Sequence, residues 1–422
     1  MMSRLRDVLT KLGSKLRVAQ DLVYVVFSSA LNNAALQFVL YPVFERRLGE
    51  ERYGEALFLI TLANVCGMAI GGSANMTYLT SRKKYKTTSG DFLWILSVLS
   101  AITLSVCAFF VIPCVATPVE FILGELLIWV TIFINYSFVD FQLRDDYRGY
   151  FIFSLITIAG CIAFLPLFFS TGLWALALVC GNLAGMLYVC VVGRIYKPPF
   201  AKSEDRGHVV KATLTLSGSQ MINYGMQNID RFLVLPVLGG TAVTLYYVAS
   251  LLSKTLSMIT GPINTLIIGY LSQKGRKLTG KMYLGINVLL LAGTAVFGAV
   301  VVVVSPLVLG LPILYPDLLE KVREWILPAS IAQLLVIASS ILIALDIVVA
   351  PPKMQMVIQS TYAVIYLILA FIMAKTGGLR GFVTASVIAG IIRYLVAFGV
   401  GMYYIERQAE EGYDGGGKAV SR

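Results

Sequence analysis

Apolar runs of about twenty residues, separated by short polar or basic segments, cover almost the whole chain. A run of about 20 mostly apolar residues can cross a hydrocarbon core about 30 Å thick as an α-helix. The pattern therefore predicts an all-α integral membrane protein with twelve transmembrane helices. They are expected at residues 22–43, 55–79, 92–113, 121–141, 151–170, 173–193, 213–239, 241–271, 282–305, 325–349, 355–375 and 381–405.

A basic segment at 194–212, RIYKPPFAKSEDRGHVVKA, divides these helices into two sets of six. We predict two six-helix bundles, at 1–200 and 201–422. The stretch YGEALFLITLANVCGMAIGG from Tyr53 aligns with YYVASLLSKTLSMITGPINT from Tyr246, and each follows a Leu-Gly dipeptide. Six helices per half give both bundles the same orientation, which predicts a pseudo-two-fold axis along the membrane normal.

Composition and charge support this topology. The chain is 58% hydrophobic and 14% charged, whereas soluble proteins carry about 25% charged residues. Of 34 Lys and Arg residues, 24 lie in segments predicted to be cytoplasmic and 7 in outer segments. This asymmetry predicts a multi-pass protein with both termini in the cytoplasm. It also accounts for the net charge of +11, so no nucleic-acid partner is expected.

Other features exclude several chemistries. The single histidine, His208, lies in a charged loop, and the six cysteines lie in apolar segments without a CxxC pair. No metal site, catalytic triad or cofactor is therefore expected, and no nucleotide-binding loop is present in the sequence. Residues 1–20 read either as a basic amphipathic helix on an anionic membrane or as a charge cluster that sets orientation.

Several predicted helices carry polar stripes. In the seventh, the polar side chains fall within about 160° of the helix surface at 100° per residue. The stripe residues of the first, second and seventh helices are candidate cavity-lining residues: Asn32, Asn33, Asn64, Gln220, Asn223, Gln227 and Asn228. Small and polar residues also serve in plain helix packing, and that alternative accounts for most of the Ser, Thr and Gly positions.

Three cations, Arg231, Lys254 and Arg393, fall inside predicted helices. A charge at the bilayer centre costs at least about 2.5–3.5 kcal/mol, and such residues usually face a wet cavity or pair with one another. Asp230 neighbours Arg231 and forms either a local neutral pair or an ion site. The predominance of cations predicts a cavity that accepts an anion.

Two further positions have alternative interpretations. Gly261-Pro262 interrupts the eighth predicted helix and indicates either a hinge for alternating access or a static bend. Asp140 and Asp346 lie near predicted inner helix ends, where interfacial water is expected to solvate them, and a structural role is expected for both.

The stretch NIDRFLVLPVLGGTAVTLYYVASLL (228–252) resembles the seventh-to-eighth helix junction of Wzx-type polysaccharide flippases. These flippases belong to the superfamily that also holds the multidrug and toxic compound extrusion (MATE) transporters and the lipid II flippase. The stretch LGEERYGEALFLITLANVCGMAIGG (48–72) resembles the corresponding first-to-second junction. The similarity in pattern covers nearly the whole chain, and its motifs are diffuse.

The resemblance implies a transporter of the bacterial cytoplasmic membrane. Its substrate would be an undecaprenyl-diphosphate-linked oligosaccharide, moved from the inner to the outer leaflet by alternating access for O-antigen, capsule or exopolysaccharide biosynthesis. Arg231, Lys254 and Arg393 would contact the diphosphate, the amide side chains would bind sugars, and Asp230 would pair with Arg231 or bind a coupling ion. Coupling to protons, sodium or the membrane potential is implied, and other polysaccharide-assembly membrane proteins are potential partners.

Some features separate the alternatives. The first predicted helix has no acid, unlike one branch of multidrug exporters, and no arginine, unlike the lipid II flippase. An ion-coupled multidrug exporter of the same fold remains the alternative. A membrane glycan polymerase or ligase is disfavoured because the longest outer segment, 311–324, is short; a structural scaffold would not need embedded cations.

Overall fold

The computed structural model describes residues 20–416, apart from residues 22, 83, 199, 258–278 and 351. Its regular structure in these residues is helical. Almost all of the predicted N-terminal amphipathic segment lies outside the described residues. So does the predicted hinge at Gly261 and Pro262, together with the end of the eighth predicted helix.

Six helices match the first six predicted spans. They are α1 (Val23–Leu48), α2 (Glu50–Ser81), α3 (Ser89–Val111), α4 (Pro118–Arg144), α5 (Tyr147–Thr171, interrupted at Phe164) and α6 (Trp174–Val192). Local sequence sets several of their ends. Thr88 and Asp91 form a capping box at the start of α3, and Thr117 caps α4 before Pro118, arrangements that satisfy backbone N–H groups at a helix N-terminus.

The remaining helices are α7 (Arg206–Gln227), α8 (Ile229–Leu238), α9 (Gly240–Ser257), α10 (Gly280–Leu309), α11 (Leu319–Val349) and α12 (Pro352–Gly416). The predicted eleventh and twelfth spans both lie in α12, with Gly378 at φ 58° between them. Nine helical stretches among the described residues are long and apolar enough to cross a membrane. Twelve transmembrane helices and their pseudo-two-fold relation therefore stay predictions.

The chain forms two compact units, which meet in sequence between Phe232 and Leu233. The predicted bundle boundary at residues 200 and 201 stays a prediction. In the first unit, α7 packs against α2 and α3, and it buries Val209, Thr213 and Ser217 along one face. The first unit thus includes α7 as well as the first six helices.

The core of the first unit lies around α2, which packs against α4 along much of its length. Residues Gly67–Gly72 of α2 form a π-helical turn. At Gly71, an added Cβ would lie 2.0 Å from the carbonyl oxygen of Ile132 in α4. The two helix backbones therefore touch here, and a side chain at position 71 would separate them.

In the second unit, α10, α11 and α12 pack around a core that contains Tyr283, Leu342 and Ala397, all fully buried. The α9 helix packs against α11, where Ser253 Oγ and Ser330 Oγ lie 2.8 Å apart and both residues are buried. Hydroxyl hydrogen bonds of this kind join helices in an apolar environment.

Two buried carboxylates hold the segment between α6 and α7. Asp140 Oδ1 accepts hydrogen bonds from the backbone N–H groups of Arg194 (2.8 Å) and Ile195 (3.2 Å), and its other oxygen contacts the Arg144 guanidinium. Asp140 is 1% exposed, so these donors, rather than the expected interfacial water, compensate its charge. The expected structural role is consistent with this geometry.

Asp91 acts in the same way at the other end of the segment. Its Oδ1 accepts hydrogen bonds from the Ser203 backbone N–H (3.1 Å) and from Arg206 Nε (2.8 Å). Its Oδ2 accepts from the backbone N–H of Thr88 (3.2 Å). Asp91 and Asp140 thus attach the long basic segment to α3 and α4 within the first unit.

Replacing Asp140 by asparagine is expected to destabilise the protein by about 2 kcal/mol, because hydrogen bonds to buried charged groups contribute about 1.5–3 kcal/mol. The measurement is the thermal unfolding midpoint of purified protein in detergent. Glu204→Gln is the control, since the Lys86–Glu204 pair is solvent-exposed on both sides and exposed pairs contribute little. Equal shifts in the two variants would contradict the role given to Asp140.

Candidate functional site

The predicted seventh span is broken in the structure. It was expected to run as one helix over 213–239, whereas α7 ends at Gln227 and α8 begins at Ile229, with Asn228 at φ −118° and ψ 19°. Non-helical backbone at membrane depth is tolerated where it is buried in protein or lines a water-filled cavity. The break lies among the polar residues that the sequence singled out.

The amides of α7 form a hydrogen-bonded ladder. Asn223 Nδ2 donates to Gln220 Oε1 (3.2 Å), and Gln227 Nε2 donates to Asn223 Oδ1 (3.2 Å). Spacings of three and four residues bring these side chains to one helix face, as the stripe predicted. Asn223 and Gln227 are exposed. We call Gln220, Asn223 and Gln227 the amide ladder.

At the break itself, Asn228 Nδ2 donates to the carbonyl oxygen of Tyr224 (3.0 Å). Two residues later, Asp230 is 5% exposed. Arg231 lies in the first turn of α8, and its Nη1 donates to Thr61 Oγ1 of α2. Thr61 is buried and itself donates to Leu57 O (2.6 Å). The Arg231 side chain therefore connects the start of α8 to the central helix of the first unit.

Asn64 lies one turn after Thr61 on α2. Most of α2 is buried, yet Asn64 is exposed, as are Met68 and Met76 farther along the helix. A polar amide on an exposed position of a membrane-depth helix suits contact with water or a polar ligand better than contact with lipid tails.

The first-helix candidates lie elsewhere. Asn32 and Asn33 are half-buried on α1. Asn33 Nδ2 donates to Ser29 O of the same helix at 2.9 Å, so this amide bonds within α1. The described contacts do not join either asparagine to the amide ladder.

The second unit contains the most deeply buried of the three predicted cations. Arg393 is 7% exposed; its Nη2 lies 3.4 Å from Ser340 Oγ, and its guanidinium lies 4.9 Å from the ring centroid of Tyr362. Its Nε atom is buried without a hydrogen-bond partner in the described part of the chain. None of the ion pairs between described residues involves Arg393.

Lys254 also lies over an aromatic ring, and a chain of ring contacts connects that ring to Tyr362. Its Nζ is 5.6 Å from the centroid of Tyr246, and Tyr246 packs edge-on against Phe382 at 5.1 Å. Phe382 contacts Tyr366 at 6.4 Å, and Tyr366 stacks on Tyr362 at 5.5 Å. We call Tyr246, Phe382, Tyr366 and Tyr362 the aromatic row.

The aromatic row has Lys254 at one end and Arg393 at the other. The structure thus brings Lys254 and Arg393 to one feature of the second unit and places Arg231 in the first unit. Cations over aromatic faces are attracted by the ring quadrupole, which contributes about 0.5–2 kcal/mol. The row therefore supplies a negative surface to both cations but no formal counter-charge.

Sequence reasoning missed two features. Glu125 of α4 lies inside a predicted span, and both its carboxylate oxygens are buried without a hydrogen-bond partner in the described residues; its place within the span was the available signal. The aromatic row was also missed. The i, i+4 spacing of Tyr362 and Tyr366 was visible, but their contact with Phe382 depends on how α12 folds back at Gly378.

Comparison with solved structures identifies the fold. The lipid II flippase MurJ, in an inward closed conformation, superimposes with a TM-score of 0.65 at 12% identity, over 90% of this chain and 86% of that one. A multidrug resistance MATE family transporter of the MOP superfamily, in its inward-facing conformation, gives 0.62 at 14% identity, over 92% and 99%. A mutant of the Vibrio cholerae MATE transporter VcmN gives 0.53 at 13% identity, over 92% and 95%.

Sequence comparison adds nothing to this result, because neither a protein-family model nor a curated protein matches the chain. At 12–14% identity the structural similarity indicates the fold but does not identify the substrate. It also covers nearly the whole of each chain, so the match is not confined to a common helical fragment. The protein therefore has the all-helical fold shared by MATE transporters and the lipid II flippase.

Proposed function

We propose that the protein is a flippase that moves an undecaprenyl-diphosphate-linked oligosaccharide from the inner to the outer leaflet of the bacterial cytoplasmic membrane. The observation that carries this proposal is Arg393, a buried arginine that forms no ion pair with a carboxylate among the described residues. A buried charge normally has a partner. A cargo with a diphosphate group would supply it.

The cargo poses a specific physical problem. Its charged, sugar-bearing head cannot enter hydrocarbon, whereas its lipid tail remains soluble there. A protein that alternately opens a polar cavity to each face would carry the head across while the tail stays in the membrane. The fold, which this chain shares with a lipid II flippase, is suited to such a cargo.

The residues take distinct roles in this proposal. Arg393 binds the diphosphate through its planar guanidinium, which matches phosphate oxygens, and Lys254 adds a point charge. Arg231, in the first unit, stays a predicted contact for the diphosphate. The amide ladder and Asn64 donate to sugar hydroxyls, as do Asn32, Asn33 and Asn228, and Asp230 holds Arg231 or a coupling ion.

The energetics favour export. Negative charge that moves outward across an inside-negative membrane moves down the electrical gradient, which releases about 2.3 kcal/mol per charge per 100 mV. Protons or sodium ions are additional sources of coupling in this proposal. Membrane lipids, and other membrane proteins of polysaccharide assembly, are its expected partners.

An ion-coupled multidrug exporter is the second candidate. The MATE structures support it, since they match more than 90% of this chain, and Glu125 offers a buried acid that would suit a cationic drug. The two functions differ in the charge of the cargo. Arg393 favours the anionic one.

A deletion strain tests the proposal directly. We expect lipid-linked oligosaccharide to accumulate in the inner leaflet and surface glycan to fall at least tenfold, with restoration by the wild-type gene. The measurement is extraction and quantification of lipid-linked oligosaccharide beside surface polysaccharide. Unchanged surface glycan with increased drug sensitivity would refute the flippase and favour the exporter.

A further inference from the structure

Asp346 of α11 is the most deeply buried acid of the second unit in the described residues, at 1% exposure. Its Oδ1 accepts a hydrogen bond from the Tyr283 hydroxyl of α10 at 2.9 Å. Its Oδ2 is buried without a hydrogen-bond partner among the described residues. The interfacial water expected from the sequence does not reach this side chain.

Asp346 differs from Asp140 and Asp91, two buried carboxylates of the first unit. Asp140 and Asp91 each accept hydrogen bonds from backbone N–H groups and contact an arginine. Asp346 has one neutral donor. An ionised carboxylate in a low-dielectric site requires hydrogen-bond donors or a cation. Ionisation of Asp346 therefore costs more free energy than ionisation of Asp140 or Asp91.

The surroundings of Asp346 form a closed polar cage. Tyr394 of α12 donates its hydroxyl hydrogen to Asn287 Oδ1 (2.9 Å), and Asn287 Nδ2 donates to Tyr283 O (2.8 Å). Gly401 of α12 lies directly against the acid: a Cβ there would be 2.3 Å from Asp346 Oδ1 and 2.1 Å from the Tyr283 hydroxyl oxygen. A glycine at this position therefore lets α12 close the cage.

The charged groups on the packed helices have other surroundings. Lys281 of α10 and Glu406 and Arg407 of α12 are exposed. The titratable side chains in the cage are Tyr283 and Tyr394. On α12, Arg393 lies over Tyr362, and on α9, Lys254 lies over Tyr246. No ion pair between described residues includes Asp346. Within the described part of the chain, the cage thus offers Asp346 no cation that would stabilise its ionised form.

We propose that Asp346 is a proton-binding site, neutral in this conformation and closed by Tyr283, Asn287, Tyr394 and Gly401. The proton neutralises the carboxyl group that the cage leaves without a counter-charge. A proton is favoured over a metal ion because the hydroxyl of Tyr283 already donates to Oδ1 and the Asn287 amide oxygen already accepts from Tyr394. Few oxygens remain to coordinate sodium.

The site would give α10, α11 and α12 a response to protonation. When the carboxyl loses its proton, the ionised group requires water or a cation, which the closed cage lacks. Deprotonation is then linked to loosening of the three helices. If the protein is a transporter as proposed above, this linkage ties a proton to the cycle; the existence of the site does not rest on that function.

Infrared difference spectroscopy of the purified protein, titrated in H2O and D2O, tests the site without any cargo. We expect a protonated-carboxyl carbonyl band at neutral pH that Asp346→Asn removes. All variants are made in protein that already carries Glu125→Gln, because Glu125 also has buried carboxylate oxygens and could contribute a band of its own. Asp91→Asn is the matched control and should leave the band unchanged, since Asp91 has an arginine and backbone donors.

A band that persists in Asp346→Asn would overturn the proposal. So would a band that disappears when sodium replaces potassium at constant pH, because sodium would then occupy the site. Should Asp346→Asn fail to fold, Tyr283→Phe removes the hydrogen bond to Oδ1 and is expected to shift the band. An unshifted band in that variant would also contradict the assignment.

Discussion

Replacing Arg393 by glutamine is expected to lower transport of lipid-linked oligosaccharide by about tenfold to a hundredfold, because charge-assisted hydrogen bonds contribute about 1.5–3 kcal/mol. The variant should remain folded. Arg393 is buried without an ion pair among the described residues, so glutamine removes a buried charge and leaves no carboxylate behind. Its thermal unfolding midpoint should equal or exceed that of the wild type.

This pairing of lost transport with retained stability distinguishes a binding residue from a structural one. Both are measured on purified protein, by flipping of a lipid-linked oligosaccharide diphosphate in proteoliposomes and by thermal unfolding. Arg393→Lys keeps the charge but loses the planar guanidinium, so an intermediate rate is expected. A marked fall in the unfolding midpoint of Arg393→Gln would assign Arg393 to the scaffold.

Arg380 supplies the matched control on the same helix. It also lies over an aromatic ring, that of Trp325, but it is exposed and paired with Glu324 at 3.1 Å. Arg380→Gln therefore removes an arginine and a cation–π contact without touching a buried charge. Equal loss of transport in the two variants would indicate a general effect of positive charge and would contradict a specific anion site.

Local rules explain how much of the fold the sequence could predict. Apolar runs located the helices because backbone groups in hydrocarbon must bond within their own segment. The two Leu-Gly dipeptides noted in the sequence lie at helix ends: Gly49 and Gly239 have φ of 77° and 86°, and each N–H bonds to the carbonyl four residues earlier. Glycine adopts this left-handed backbone conformation without steric penalty.

Features that depend on tertiary packing were not predictable in this way. Residues 213–239 have the periodicity of one helix, yet the chain breaks at Asn228, next to the contact between Arg231 and Thr61. Arg231 and Thr61 lie 170 positions apart in the sequence, so no local pattern predicts their contact. Asp346 shows the same limit: its position suggested interfacial water, whereas the packing of α10 and α12 buries it.

The candidate site residues show the same difference between what local spacing predicts and what tertiary packing decides. The amide ladder follows from helical spacing alone, and the structure has the corresponding hydrogen bonds. The association of Lys254 with Arg393 through the aromatic row requires Phe382, which approaches Tyr246 and Tyr366 from beyond the turn at Gly378. Periodicity describes one helix at a time and carries no information about such neighbours.

Substituting alanine at Gly71 is expected to destabilise the first unit by about 3 kcal/mol or more, at the upper end of overpacking effects. The new Cβ would lie 2.0 Å from the carbonyl oxygen of Ile132 and 3.0 Å from its carbonyl carbon. Both are backbone atoms of α4, so a change of side-chain rotamer cannot relieve the clash. The helices must separate.

Gly72, the next residue, is the matched control, because a Cβ there would meet nothing within 4 Å. Gly72→Ala is expected to leave stability unchanged or raise it by up to about 1 kcal/mol, since alanine loses less backbone entropy than glycine in a helix. Thermal unfolding and the yield of monodisperse protein compare the two. If the two variants are equally stable, α2 and α4 do not touch at Gly71, and the close packing of these two helices would be wrong.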